Sequence, residues 1–180
     1  MDKEYIEIYT KCGEPTGEKL LKSKIHKEGL FHATVHVWMF CSKDKILIQK
    51  RSRNKEINPG VWDVSVAGHI RFNENKIDAL TRESKEEVNI KIEKKRLKKI
   101  GVFFNEQAYN DLTDREFFHT YIYKTTSDKI NLDFKNNEVD QLKFISLNEM
   151  EHLIDNSDKY FIGKNKNYYK TIIDEISSSN

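Results

Sequence analysis

The sequence is poor in cysteine, has almost no excess charge of either sign, and contains no long apolar run. Only two cysteines, Cys12 and Cys41, occur in 180 residues, and they form no CxxC pair. A disulfide framework or a structural zinc site is therefore not expected, and a reducing, cytoplasmic setting is the natural reading. The net formal charge is only +2. This argues against a strongly basic nucleic-acid surface but leaves room for a local basic pocket around a small anion. The first residues carry no apolar signal core. No run approaches the roughly 18 apolar residues that a membrane span needs. Neither nucleic acid nor membrane is expected as a partner.

What is present is the material of one ordinary domain. The chain is 37% hydrophobic and 33% charged, enough apolar residues for a real core. Residues 1–180 are expected to form one domain, with a hairpin extension over 1–30 and a helix closing the chain within 156–180. Residues 4–9 alternate as a strand. Gly13, Pro15 and Gly17 mark a turn, and 19–26 can return as its partner. His32 to Cys41 is a strand with Ala33, Val35, Val37 and Met39 on one face and His32, His36, Trp38 and Phe40 on the other. Further strands are expected over 45–51, 98–106, 115–124 and 141–146, with two short extended pieces, 62–66 and 69–71, around Gly68. A helix over 75–89 carries Ile77, Leu80, Ser84 and Val88 in one stripe, Ser84 being polar where an aliphatic residue would suit the core. Helices over 147–155 and 161–177 follow. The last carries Phe161, Tyr168, Tyr169, Ile172 and Ile176, a stripe suited to capping the sheet or to joining two copies as a homodimer. The order implies an α+β fold, an α/β/α sandwich.

The 75–89 helix holds the most informative pattern. Glu83, Glu86 and Glu87 stand at i, i+3 and i+4, on a side turned away from the apolar stripe. Such a row can be a solvated face. Three carboxylates this close also repel one another unless a cation offsets them, and hard cations such as Mg²⁺ take oxygen ligands. The approach Val64-Ser65-Val66-Ala67-Gly68 ends in a residue whose backbone a metal or phosphate can approach closely.

Gly68, Glu74, Arg82-Glu83 and Glu86-Glu87 resemble the Nudix box, G-x5-E-x7-R-E-U-x-E-E-x-G-U with U aliphatic. Ser84 departs at the first U and Asn89 at the second glycine, while Ile90 fits the last U. Asn tolerates the left-handed conformation a helix end often needs, which makes that departure mild. The resemblance implies a Nudix-type sandwich with a mixed sheet and a catalytic loop–helix–loop. It implies Mg²⁺ (or Mn²⁺) held by the Gly68 carbonyl, Glu83, Glu86 and Glu87, with Glu74 and Arg82 shaping the loop by charge pairing. A later acid commonly completes the metal set or acts as base, and Glu138 matches that placement, although it can equally be an exposed loop acid. The implied chemistry is metal-assisted attack of water on phosphorus in a small diphosphate.

A second likeness covers roughly residues 5 to 150 in scattered matches. Glu14-Pro15-Thr16-Gly17, His26, Leu30-Phe31-His32, Trp38, Pro59-Gly60-Val61-Trp62 and Gly68-His69 are similar to the isopentenyl diphosphate isomerase branch. That likeness implies a second metal set at His26, His32, His69 and Glu116, with Asp114 beside it, His26 being placed at the end of the hairpin. Without a metal, the histidines would simply line a pocket. Those isomerases carry an essential cysteine where this chain has Ala67, and their box is usually degraded where this one is nearly intact. Both departures point to a hydrolase. Isomerase activity and a non-catalytic nucleotide sensor are the alternatives. Lys50, Arg51 and Lys55 align with diphosphate-contacting positions of the branch, although a charge run is also a common solvated surface. The substrate is expected to be a nucleoside diphosphate, a derivative of one, or a similar small diphosphate.

Overall fold

The alternation over residues 32–41 builds the strand from which the rest of the sheet hangs. In the computed structural model, which describes residues 4–42, 44–109, 111–155 and 166–179, that strand is β3, Phe31–Ser42. Before it come β1 (Tyr5–Tyr9), β2 (Pro15–Leu21) and α1 (Lys22–Glu28). After it come β4 (Lys45–Arg51), β5 (Trp62–Asp63), β6 (Val66–His69), α2 (Lys76–Val88), β7 (Leu97–Ala108), β8 (Thr113–Lys124), β9 (Val139–Ser146), α3 (Leu147–Asp155) and α4 (Lys166–Ser177). β3 pairs antiparallel with β1, β4 and β6 and parallel with β8, so the sheet is mixed. β9 joins beyond β4, and β7 pairs with β8.

The period-2 pattern of β3 is realised as two cores. Ala33, Val35, Val37 and Met39 are fully buried with Leu80 and Val88 of α2 on one side of the sheet. Trp38 and Phe40 pack on the other side against Met150 and Ile154 of α3 and Tyr168, Tyr169, Ile172 and Ile176 of α4. Each fully buried side chain of this size contributes on the order of 1.5–3 kcal/mol. Helices on both faces make the α/β/α sandwich. The stripe of the last helix caps the sheet. Phe161 and the expected start of that helix lie outside the described residues.

Two expectations change. The returning strand ends at Leu21, not 26, because residues 22–28 wind into α1, burying Ile25 and closing on Gly29 at φ 61°, whose N–H donates to the His26 and Ile25 carbonyls. His26 therefore stands in the last turn of a helix instead of at a hairpin end. Gly68 does not separate two extended pieces but lies inside β6, opposite Val35. The helix over 75–89 forms at 76–88. The Asn75 side chain caps it by accepting from the N–H groups of Ile77 and Asp78. Asn89 ends it at φ 56°, and the Ser84 carbonyl accepts from the Asn89 and Ile90 N–H groups. Ser84 is fully buried, and among the described residues its hydroxyl has no hydrogen-bond partner, the cost of a polar residue in the core stripe. Among the described residues no helix is long and apolar enough to cross a membrane.

Candidate active site

α2 is bolted to β6 by one arginine. Arg82 donates from Nε to Glu74 at 2.9 Å, from a terminal nitrogen to the same carboxylate at 2.8 Å, and to the His69 carbonyl at 3.0 Å. It also reaches Glu83 at 2.5 Å and Glu86 at 3.2 Å. Glu74 in turn accepts from the Arg71 N–H, so the loop between β6 and α2 closes on its own ion pair. Burial works against the charge on Glu74, but the Arg82 and Arg71 contacts hold its carboxyl below the usual range.

The acidic row that the sequence places on α2 is not simply a solvated face. Glu86 is exposed, but Glu83 and Glu87 are buried, 6% and 2% exposed. Glu87 accepts from the Ala67 N–H at 2.9 Å and from Gln49 at 2.8 Å. Glu83 lies directly on the Gly68 backbone: a Cβ at residue 68 would stand 2.0 Å from its carboxyl carbon. Burial first, and then repulsion from Glu86 and Glu138 against the pull of Arg82, pushes the Glu83 carboxyl up to about 7. Burial, followed by the charge of Glu83, pushes Glu87 up to about 8. Buried, mutually repelling oxygen donors around a backbone stripped of its Cβ fit a hard divalent cation, which would supply the charge this cluster lacks.

Glu138 sits immediately before β9, where its carboxylate accepts from Lys55 at 2.6 Å. That contact, acting against partial burial, holds its carboxyl low. Arg51 donates to the carbonyls of Ile57 and Asn58, folding the 52–61 loop back over the sheet, and lies 3.6 Å from Asp63. Arg51 and Lys55 both line a cavity of about 470 Å³. Lys50 does not; its ammonium lies 5.8 Å from the Trp62 ring centre, outside the cavity wall.

Ala67, Gly68 and His69 line that cavity, and Gly68 also meets Glu83 of α2. On the cavity side, the residues read from the sequence as a second metal set converge. His69 and His26 approach to 3.3 Å through Nε2, and His32 Nε2 lies 3.5 Å from Asp114 and 3.6 Å from Glu116. The donor atoms of His26, His32 and His69 lie within 4.8 Å of one another, as do those of His32, Asp114 and Glu116. His32 Nδ1 donates to the Leu30 carbonyl at 3.1 Å, which turns Nε2 toward the cluster. Burial, with the neighbouring His32, pushes His26 down to about 4, and burial likewise holds His69 well below its ordinary value. Burial opposes charge on His32 as well, but Glu116 and Asp114 outweigh it and hold that ring above its ordinary value. Imidazoles beside two carboxylates are the ligand chemistry of Zn²⁺ or Mn²⁺, which would take the place of any proton His32 holds there.

Several cavity residues had little or no signal in the sequence. Lys22 joins the wall from α1, Thr34 from β3, and Asn105 and Gln107 from β7. Gln49, which holds Glu87, lies in an apolar strand run whose pattern says nothing about a carboxylate across the sheet.

The NUDIX domain family model matches residues 30–164. An uncharacterized Nudix hydrolase of Clostridium acetobutylicum is 33% identical over 159 residues, covering 87% of this chain and 76% of that protein. Nudix hydrolase 3 of Arabidopsis thaliana is 32% identical over 168 residues, 90% of this chain, but the match spans only 22% of the plant protein's length. Isopentenyl-diphosphate Delta-isomerase 2 of Photorhabdus laumondii is 31% identical, over 87% of this chain and 83% of its own. The crystal structure of a Deinococcus radiodurans protein superposes with a TM-score of 0.65 at 19% identity, covering 96% of this chain and 97% of the other, a likeness of fold.

Proposed function

The chain belongs to the Nudix family of hydrolases, and from that premise we propose that it is a Mg²⁺- (or Mn²⁺-) dependent enzyme cleaving a phosphoanhydride bond in a nucleoside diphosphate, a derivative of one, or a similar small diphosphate. The observation that carries this reading is the Glu83 carboxyl seated on the Gly68 backbone beside buried Glu87. Binding a nucleotide without chemistry does not need acids held in this costly arrangement, which weighs against a mere sensor.

Glu83, Glu86, Glu87 and the Gly68 carbonyl would hold the ion. When bound, the ion neutralises charge developing on phosphorus oxygens and lowers the pKa of a water. Arg82 keeps α2 in register with β6. Arg51 and Lys55 face the cavity and receive phosphate; Lys50, outside the wall, drops from that set. Glu138 is the base. A phosphate drawing Lys55 away frees the Glu138 carboxylate to take a proton from the attacking water.

One observation favours a second reading, isomerase-like activity: the His26, His32, His69, Asp114 and Glu116 cluster is assembled, and could hold a second metal. Against it, Ala67 of the cavity wall stands where the resemblance places the isomerases' cysteine, and its methyl carries no proton to donate. The deciding experiment is a Mg²⁺-dependent hydrolysis screen over nucleoside diphosphates, dinucleotides, sugar nucleotides and isoprenoid diphosphates, with products identified. Cleavage between phosphates supports the hydrolase; conversion of the isoprenoid alone, without phosphate release, overturns it.

A further inference from the structure

Among the described residues, three polar side chains in the cavity wall make no side-chain hydrogen bond. Thr34 is 2% exposed, and its hydroxyl is buried without a hydrogen-bond partner. Asn105 and Gln107 are half-buried, and among the described residues neither amide group makes a hydrogen bond. Register places them together: Asn105 lies opposite Glu116 and Gln107 opposite Asp114 across β7 and β8, while Thr34 is opposite Phe118 across β8 and β3. All three therefore stand on the face that carries the histidine cluster.

Their position in the cavity matters as much as their chemistry. Arg51 and the Lys55 loop leave the sheet from β4, on one flank of β3, whereas β7 lies beyond β8 on the other. A ligand whose phosphates meet Arg51 and Lys55 lays its organic end toward β7. There it meets two amides, each offering a donor and an acceptor, and a hydroxyl offering both. A hydrocarbon tail would strip water from both amides, leave the Thr34 hydroxyl unpaired and return nothing. A site of this kind rejects ligands that cannot pair with it.

We propose that Thr34, Asn105 and Gln107 form a specificity subsite for a neutral organic group bearing both hydrogen-bond donors and acceptors, a nucleobase or a sugar, attached to the diphosphate. This rests on the diphosphate-hydrolase reading above and sets the substrate class within it. The cavity, at about 470 Å³, has room for such a group.

The test is calorimetric binding to the full chain of analogues whose bridging oxygen is replaced by methylene. The probes are α,β-methylene ADP, GDP, CDP and UDP, ribose 5-methylenediphosphonate, isopentenyl methylenediphosphonate, and methylenediphosphonate as the bare head group. At least one nucleoside analogue should bind about tenfold or more tighter than the bare head group, and the isopentenyl analogue should not. Asn105→Leu, Gln107→Met and Thr34→Val should each weaken the preferred analogue by about 2- to 10-fold, the range of one neutral hydrogen bond. If the ribose analogue matches the nucleoside, the sugar is read; if the nucleoside exceeds it, the base is. The proposal is overturned if the isopentenyl analogue binds tightest, if no analogue exceeds the head group, or if the folded variants leave the preferred analogue's affinity unchanged. Hydrolysis of the natural diphosphates is followed in parallel. Selective binding without cleavage would strike the hydrolase reading and leave the subsite standing.

Discussion

Gly68→Ala is the sharpest perturbation of the proposed metal locus. The new Cβ would lie 2.0 Å from Glu83 Cδ, 2.3 Å from Cγ and 2.3 Å from Oε1. Carbon atoms rest about 3.5–4.0 Å apart, so the Glu83 side chain must withdraw by about 1.5 Å or more. The backbone at residue 68 has little freedom to retreat, because it is paired to Val35 in the fully buried centre of the sheet. The Glu83 carboxylate can move, but only by leaving Arg82 and the position from which it would meet a cation. Overpacking of this kind costs about 1–3 kcal/mol of stability, which an ordinary domain survives. A shift of about 1 Å at a reacting centre costs roughly 10²-fold in rate. Gly68→Ala should therefore stay folded by circular dichroism, bind Mg²⁺ more weakly by calorimetric titration, and lose on the order of 10²-fold in kcat/KM. A folded variant with wild-type Mg²⁺ affinity and turnover would show that the Gly68–Glu83 contact is packing alone.

Glu86→Gln or Glu87→Gln should each lower turnover by about 10²-fold or more, and excess chelator should abolish it; normal rates in either case would reduce the acids to a structural feature. Burial raises the Glu83 and Glu87 carboxyls to about 7 and about 8 in the folded chain. The folded state therefore binds more protons than the unfolded one between the ordinary carboxylate range and about pH 8, and stability without metal should fall as pH rises through that window. Because Mg²⁺ needs the ionised acids, the rise in melting temperature it produces should be small at pH 5.5 and larger at pH 8.5; a shift independent of pH would count against these residues as ligands. The unmodified chain should neither convert isopentenyl diphosphate to its allylic isomer nor exchange its protons with deuterated solvent, and steady conversion followed by NMR would reverse the choice of hydrolase.

Much of the fold and part of the site were legible because short-range patterns carry them. The alternation from His32 to Cys41 assigned each side chain of β3 to its face, and the spacing of Gly68, Glu74, Arg82, Glu83, Glu86 and Glu87 located the loop–helix unit within one residue at each end. α1 was missed because a seven-residue helix with one buried aliphatic, Ile25, has too little periodicity to outweigh a hairpin reading. The depth of Glu83 and Glu87 was not visible either. Helical spacing shows that acids share a side, but it does not show that β6 lies against that side with a glycine and a free N–H waiting. The partners of long-range pairs are encoded by no local pattern: Lys55 with Glu138 depends on β9 pairing with β4, and Gln49 with Glu87 on α2 lying against that part of the sheet.

One four-residue strand, β6, touches both the acids of α2 and the histidine cluster. Along β6, the Ala67 N–H binds Glu87, the Gly68 backbone carries Glu83, and His69 turns its ring to His26 while its carbonyl holds Arg82. The backbone of β6 therefore serves the acids of α2, and its side chains serve the histidine cluster. A substitution at residue 67 changes what the cavity meets and leaves the N–H that fixes Glu87 in place, since every residue except proline supplies that donor. The side chain at residue 67 can thus change without disturbing the contact that holds Glu87. In this chain the acids of α2 are all present, whereas position 67 offers the cavity only a methyl group. That asymmetry, more than the overall likeness to either family of relatives, is the reason to look first for phosphoanhydride cleavage.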